Sequence, residues 1–148
     1  MIVLDANILI RAVLGTRVLD LIEKYSDRVR MFTPEIAFQD AEKYVPGLLA
    51  RRGPSLEARI LRRTDSSRDS ILRLRSMIEI VAENALLKFT GSANQRLRRD
   101  PDDVPILAAA LALDCPIWTE DQDFFGVGAA TWTTANIEIY LKELAAAK

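Results

Sequence analysis

Ten consecutive residues, Val104–Leu113 (VPILAAALAL), carry no polar side chain. A helix that is apolar on every face has to be buried, and this run is far shorter than the ~20 residues that a membrane span needs. Asp102-Asp103 lead into it and Pro105 falls in its first turn, where a proline costs a helix nothing. Around this helix, short apolar runs alternate with helical patterns. Ile2-Val3-Leu4, Arg30–Thr33, Met77–Val81, Pro116–Thr119 and Ala130–Thr133 read as strands. Helical spacing covers Ala6–Leu14, a stretch from a Thr16 cap to about Tyr25, and a stretch from Pro34 to about Val45, where Pro46-Gly47 should end it. One or two amphipathic helices are expected in 55–75, shorter pieces at Glu83–Phe89 and Asn94–Arg99 around Gly91, and a closing helix over Asn136–Ala147. Strands and helices in alternation predict an α/β fold around a mainly parallel sheet of about five strands, and 148 residues suit a single domain, 1–148.

Composition removes several chemistries. Apolar residues make up 49% and charged residues 28%, the balance of a folded globular chain. The sequence contains no histidine, which excludes Ser-His and Cys-His catalysis, a histidine proton shuttle and histidine-ligated zinc. The one cysteine, Cys115, excludes an internal disulfide framework and a thiolate zinc cluster. What is left for catalysis near neutral pH is carboxylates, amines, tyrosine or a metal held by oxygen ligands. Met1 leads straight into the first apolar run with no basic leader, so the expectation is a cytoplasmic protein with no membrane segment.

Charge is unevenly spread. Residues 1–50 carry 6 basic and 7 acidic groups, residues 51–99 carry 12 and 5, and residues 100–148 carry 2 and 9, a net of −1, +7 and −7. An arginine-rich middle beside an acidic end can hold a polyanion and a divalent cation together, although charge runs are also the ordinary covering of solvated helices.

In parallel sheets, ligands sit beyond the carboxyl ends of the strands, where strand order reverses. Asp5 closes the first strand, and Glu120-Asp121 follow Thr119 at the end of the fourth. On a wheel of about 100° per residue, with Ile36 at about 0°, Asp40 falls near 40° between Ile36 and Tyr44, inside an apolar arc, whereas Glu35 and Glu42 fall outside it near 260° and 240°. Each acid also has a plain structural use. Asp40 can bond to backbone or arginine, one of Asp100, Asp102 and Asp103 can cap the apolar helix, and Asp121 and Asp123 can be turn residues. Their convergence is the sharper expectation. Asp5, Asp40, Asp103 and Asp121 all project toward one sheet edge, and four aspartates there stay ionised only beside cations. Oxygen-only ligation suits Mg²⁺ or Mn²⁺. Trp118 and Trp132 lie in strands, which assigns them to packing rather than to base stacking.

These pieces resemble the PIN-domain family of metal-dependent nucleases. Asp5-Ala6-Asn7 is similar to its opening Asp-x-Asn motif, Thr33-Pro34 through Asp40 to its second acidic helix, Asp102-Asp103-Val104-Pro105-Ile106-Leu107-Ala108-Ala109 to its third acidic element, and Thr119-Glu120-Asp121-Gln122-Asp123-Phe124 to its fourth. The resemblance spans the chain in the family's order. It implies a three-layer α/β/α sandwich and hydrolysis of RNA phosphodiester bonds, with Asp5, Asp40, Asp103 and Asp121 as the acidic set on Mg²⁺ or Mn²⁺ and Asp123 as an accessory ligand. Asn7, Thr119 and Asp102 would be polar neighbours, and Arg51, Arg52, Arg59, Arg62, Arg63, Arg96, Arg98 and Arg99 would contact RNA. The family usually has glutamate as its second acid, so Asp40 is a departure that shortens one metal ligand. Resemblance to toxin-type members further implies an antitoxin partner and a homodimer. The alternatives are a structure-specific DNA nuclease and a domain that binds RNA or a partner with little turnover. A phosphoacceptor domain is disfavoured because Lys88, Lys142 and Lys148 do not follow a late strand.

Overall fold

The computed structural model describes residues 1–52, 67–97 and 99–147, with the side chain of Arg52 not described. Strand β1 (Ile2–Leu4) is wholly buried and lies in the middle of a five-stranded sheet of order β3-β2-β1-β4-β5. The other strands are β2 (Met31–Pro34), β3 (Glu79–Val81), β4 (Ile117–Trp118) and β5 (Thr131–Trp132), and every pairing is parallel. From β1 the chain steps outward through β2 to β3, then returns to the opposite side of β1 to lay down β4 and β5. The order therefore reverses between β1 and β4, where Leu4 lies opposite Trp118, and a crevice opens beyond their carboxyl ends.

Helical layers cover the sheet on both faces, as a parallel sheet requires. The apolar run forms α6 (Val104–Leu113), which packs on β1, β2 and β4 with α5 (Glu83–Arg96) against it. Its first two turns are buried, and Leu111–Leu113 are only half-covered, so the all-round burial expected from composition stops short of the last turn. Asp114 ends α6 in the left-handed conformation at φ 47°, one that aspartate tolerates better than most residues. In the other layer α1 (Ala6–Leu14) packs against α2 (Arg17–Tyr25), α3 (Glu35–Arg52) and α4 (Ser67–Met77), while α3 rests on β2 and α7 (Ile137–Ala146) on α2.

Three boundaries differ from the sequence reading. Helix α3 does not stop at Val45 but runs through Pro46 and Gly47 to Arg52. Both breakers are exposed, and Leu48 and Leu49 pack on the core beyond them, so tertiary burial outweighs the lost backbone bond. The two pieces expected around Gly91 are one helix, α5, because buried Ala93 fixes the turn after the glycine. Helix α4 extends to Met77, which shortens β3 at its start. The helices expected in 55–66 lie outside the described residues.

Candidate active site

The reversal of strand order brings two helix heads and one turn to the same rim. Asp5 sits at the N-cap of α1, Asp103 at the N-cap of α6, and Asp121 opens the short turn Gln122–Phe124 after β4. Asp5 is only 4% exposed. Its Oδ2 accepts hydrogen bonds from the Asn7 side-chain amide and from the Thr119 hydroxyl, the latter at 2.7 Å. The Thr119 oxygen in turn accepts from the Asp121 backbone N–H at 2.9 Å, and Asn7 Oδ1 accepts from Glu120 N–H at 3.4 Å. Asn7 and Thr119 thus tie the end of β1 to the end of β4. Glu120, which the sequence places with Asp121 at the end of the fourth strand but not among the ligands, locks the far side of this turn by accepting from Thr134 N–H at 2.7 Å.

The structural uses that could have absorbed the acids are only partly taken up. Asp100, not Asp102 or Asp103, caps the turn Pro101–Asp103 by accepting from Asp102 N–H at 2.9 Å. Asp103 makes no capping bond, and its Oδ2 is buried with no hydrogen-bond partner among the described residues. Asp121 does serve its turn, accepting from Asp123 N–H at 2.9 Å.

Burial and mutual repulsion hold two of these carboxyls far from their ordinary range. Burial pushes Asp5 up to about 6, opposed by the Thr119 hydroxyl and reinforced by Asp121. Burial pushes Asp103 up to about 7, with Asp5, then Asp100, Asp121 and Asp123 adding to it. The structure therefore brings Asp5, Asp103, Asp121 and Asp123 into one field. Asp40 acts on this field less directly, through Asp102 and Asp100, of which Asp100 also raises Asp103. Ile36 and Tyr44, the residues that should have flanked Asp40 in an apolar arc, are 37% and 48% exposed. The buried stripe of α3 is narrower, formed by Ala37, Phe38, Ala41 and Val45, and Asp40 lies at its border. Its carboxyl is raised by partial burial and then by exposed Asp102, with Lys43 opposing and Asp100 adding. Among the described residues, no group of three acids is already drawn together as a metal cage.

A divalent cation nevertheless fits the chemistry of this rim. Four carboxylates offer an all-oxygen donor set, and among the described residues one buried oxygen lacks a partner and no cationic side chain neutralises the interior acids; the one approach there is Arg99 to Asp123 at 3.7 Å, on an arginine 87% exposed.

The basic residues divide. Arg75 is taken up by a fork onto Glu35 at 2.7 and 3.0 Å and by Phe38, Arg73 by Glu23, and Arg30 by Glu79, so part of the positive middle segment serves to clamp helices and strands. Arg51 is exposed on α3, and Arg96 and Arg99 are exposed beside the acidic rim. Arg59, Arg62, Arg63, Arg98 and the Arg52 side chain lie outside the described residues. Trp118 is fully buried, with its indole N–H on Thr134, and Trp132 stacks on Tyr140 at 5.3 Å, so both tryptophans pack rather than face a ligand.

A PIN domain family profile matches residues 3–142. The chain belongs to the PIN-domain family. PIN domains are generally nucleases and typically use divalent metals, which agrees with the acid-lined rim described above. No curated protein matches the chain in sequence. Among solved structures, a chain from the structure of FitAB bound to an IR36 DNA fragment is similar in fold, with a TM-score of 0.60 and 19% identity over 90% of this chain and 95% of that one. No helix among the described residues of this PIN domain is long and apolar enough to cross a membrane.

Thr119→Val tests how Asp5 is held. Removing the hydroxyl takes away the bond that lowers the Asp5 carboxyl, so its pKa should rise above about 6. Loss of a residue that orients a ligand costs roughly 10–100-fold in metal affinity or activity. Valine is isosteric, so the far-ultraviolet circular dichroism spectrum should not change; a Mn²⁺ affinity equal to wild type by calorimetry would show that Thr119 has no such role.

Proposed function

We propose that residues 1–148 work as one PIN domain, a Mg²⁺- or Mn²⁺-dependent endoribonuclease of the cytoplasm that is the toxin of a toxin–antitoxin pair. The observation that carries the proposal is Asp103: its buried oxygen lacks a partner and its charge is opposed by Asp5, Asp121 and Asp123. Such an arrangement costs a fold stability unless a cation relieves it. Asp5, Asp103 and Asp121 would hold the cation, with Asp123 as an accessory ligand and Asp40 approaching from α3. Bound there, a divalent cation lowers the pKa of an attacking water and stabilises charge on the phosphoryl oxygens. Asn7 and Thr119 fix the Asp5 carboxylate, while Asp102 and Asp100 keep the field at the mouth negative. Exposed Arg51, Arg96 and Arg99, with the arginines of the undescribed segment, would contact RNA phosphates.

The likeness to a chain of FitAB, solved on DNA, supports an assembly with a protein partner, and a small antitoxin presenting a basic residue to this rim is the partner we propose, with a homodimer of the PIN domain as the assembled unit. The border position of Asp40 favours a second reading, a domain that binds RNA or its partner with little turnover. Titrating Mn²⁺ against labelled RNA and DNA decides. The nuclease cleaves RNA only as Mn²⁺ rises, whereas the binder retards RNA in a gel without cutting it and a DNA nuclease cuts the DNA instead.

A further inference from the structure

Next to the acidic rim lies a groove of about 690 Å³, within the roughly 300–1,000 Å³ of ligand pockets, lined by Arg96, Arg99, Asp123, Phe125, Gly126 and Gly128 among others. Phe125 is 49% exposed, whereas its neighbour Phe124 is fully buried. One ring anchors the turn and the next is held out over the groove's edge. The loop is built to keep it there. Phe125 N–H donates to Gln122 O at 3.0 Å, and Gly126 and Gly128, at φ 81° and 93°, fold the chain back. Arg96 lies across that loop with Nη1 donating to Val127 O at 3.0 Å, and a side chain at Gly128 would begin 2.3 Å from the same nitrogen. A guanidinium has five N–H donors, so Arg96 keeps most of its capacity. Arg99 meets Asp123 only at 3.7 Å and is 87% exposed, an ion pair worth little and readily exchanged for a phosphate.

An exposed aromatic and two arginines lining one groove are the composition of a single-strand site, with stacking for the base and charge for the backbone. Asp123 belongs both to this groove and to the acidic field, so whatever fills the groove abuts the rim. We propose that this groove binds a nucleotide of single-stranded RNA next to the scissile phosphate, with Phe125 stacked on its base and Arg96 and Arg99 on its phosphates. The proposal rests on the ribonuclease reading for its substrate, and it adds binding residues that the acidic motifs do not contain. The bonds from Arg96 to Val127 O and from Phe125 N–H to Gln122 O hold the loop in place before binding, which lowers its ordering cost.

The test is fluorescence anisotropy of fluorescein-labelled oligouridine in Ca²⁺ buffer, with the oligonucleotide checked for integrity, so that binding is read apart from turnover. Phe125→Ala should weaken binding by about 5- to 150-fold, the range for one stacked base. Phe125→Trp should keep the affinity and gain an emission that oligouridine quenches beyond the wild-type background of Trp118 and Trp132. Arg99→Ala should lower the slope of log affinity against log salt by about 0.7, one phosphate contact on a single strand. Phe125 is exposed, so both replacements leave the core intact. Binding by Phe125→Ala equal to wild type, an unquenched Phe125→Trp, or a wild type that does not bind oligouridine would each overturn the proposal. Failure of the ribonuclease reading is seen separately, as an absence of Mn²⁺-dependent cleavage by a wild type that still binds.

Discussion

Asp103→Asn should make the metal-free protein more stable while abolishing the Mn²⁺-dependent cleavage proposed above. Asp103 is a charge the fold pushes up to about 7, mainly by burial and then by Asp5, Asp100, Asp121 and Asp123. In the unfolded chain it titrates near 4, so between about pH 4 and 7 the folded state holds more protons and stability falls as pH rises. Below that window the carboxyl is protonated in both states and the penalty is absent; above it the penalty is complete. Asp5, raised to about 6, acts in the same direction over a narrower range. For Asp103, which is partly exposed, the cost at pH 8 is about 1–2 kcal/mol once solvent screening is counted. Asn carries no charge, so thermal melts in EDTA at pH 8 should rise by a few degrees, and the gain should vanish at pH 4. Activity should move the other way. Residues behind a metal ligand are worth roughly 10–100-fold, so removing a ligand should cost at least about 100-fold. Mn²⁺ should raise the melting temperature of the wild type and not of Asp103→Asn, because only a state that binds the ion is stabilised by it. A variant that loses stability at pH 8, or keeps full activity, would remove Asp103 from the site.

The largest expected loss of stability is at Trp118→Ala. Trp118 is fully buried in β4 beside the central strand, opposite Leu4, and its indole N–H donates to Thr134 at 3.1 Å. Deleting so large a core side chain costs roughly 3–5 kcal/mol, a substantial share of the 5–15 kcal/mol that holds a domain together. The effect should reach the rim as well. The Trp118 carbonyl accepts Asp5 N–H at 3.1 Å, and the next residue is Thr119, which holds the Asp5 carboxylate. Trp118→Phe keeps most of the volume and loses the indole bond, so urea unfolding should show a much smaller loss than for alanine, with cleavage largely kept. Equal losses for the two variants would mean that the bond to Thr134, rather than the volume, dominates.

The inner strands were legible because β1, β2 and β4 are short, buried, mostly apolar runs, and the end of β1 at Asp5 and of β4 near Asp121 already pointed to one edge. Asp103 was legible as the acid nearest the head of an apolar helix, although the sequence does not tell that Asp100 accepts the bond of the preceding turn and leaves Asp103 without a capping role. The apolar arc expected around Asp40 was too wide for a physical reason. A helical wheel assigns a face from side-chain type, and it counted Ile36 and Tyr44 as core although α3 leaves both in solvent. Pro46 and Gly91 misled in the opposite sense, since local propensity marks them as breaks and packing against the neighbouring helix overrules it. The groove at Phe125 left no mark in the sequence, because a phenylalanine after a phenylalanine reads as core until the backbone turns one of them outward.

The bond from Thr119 to Asp5 joins residues separated by 114 positions, and it spans the seam where the sheet changes direction. Contacts of such long range form late, because the loop between them must close first. During synthesis, then, a growing chain carries Asp5 for most of its length without the partner that orients it. The rim becomes whole only once β4 has left the ribosome and docked, so whatever this rim binds meets an incomplete site until translation of the domain is nearly finished.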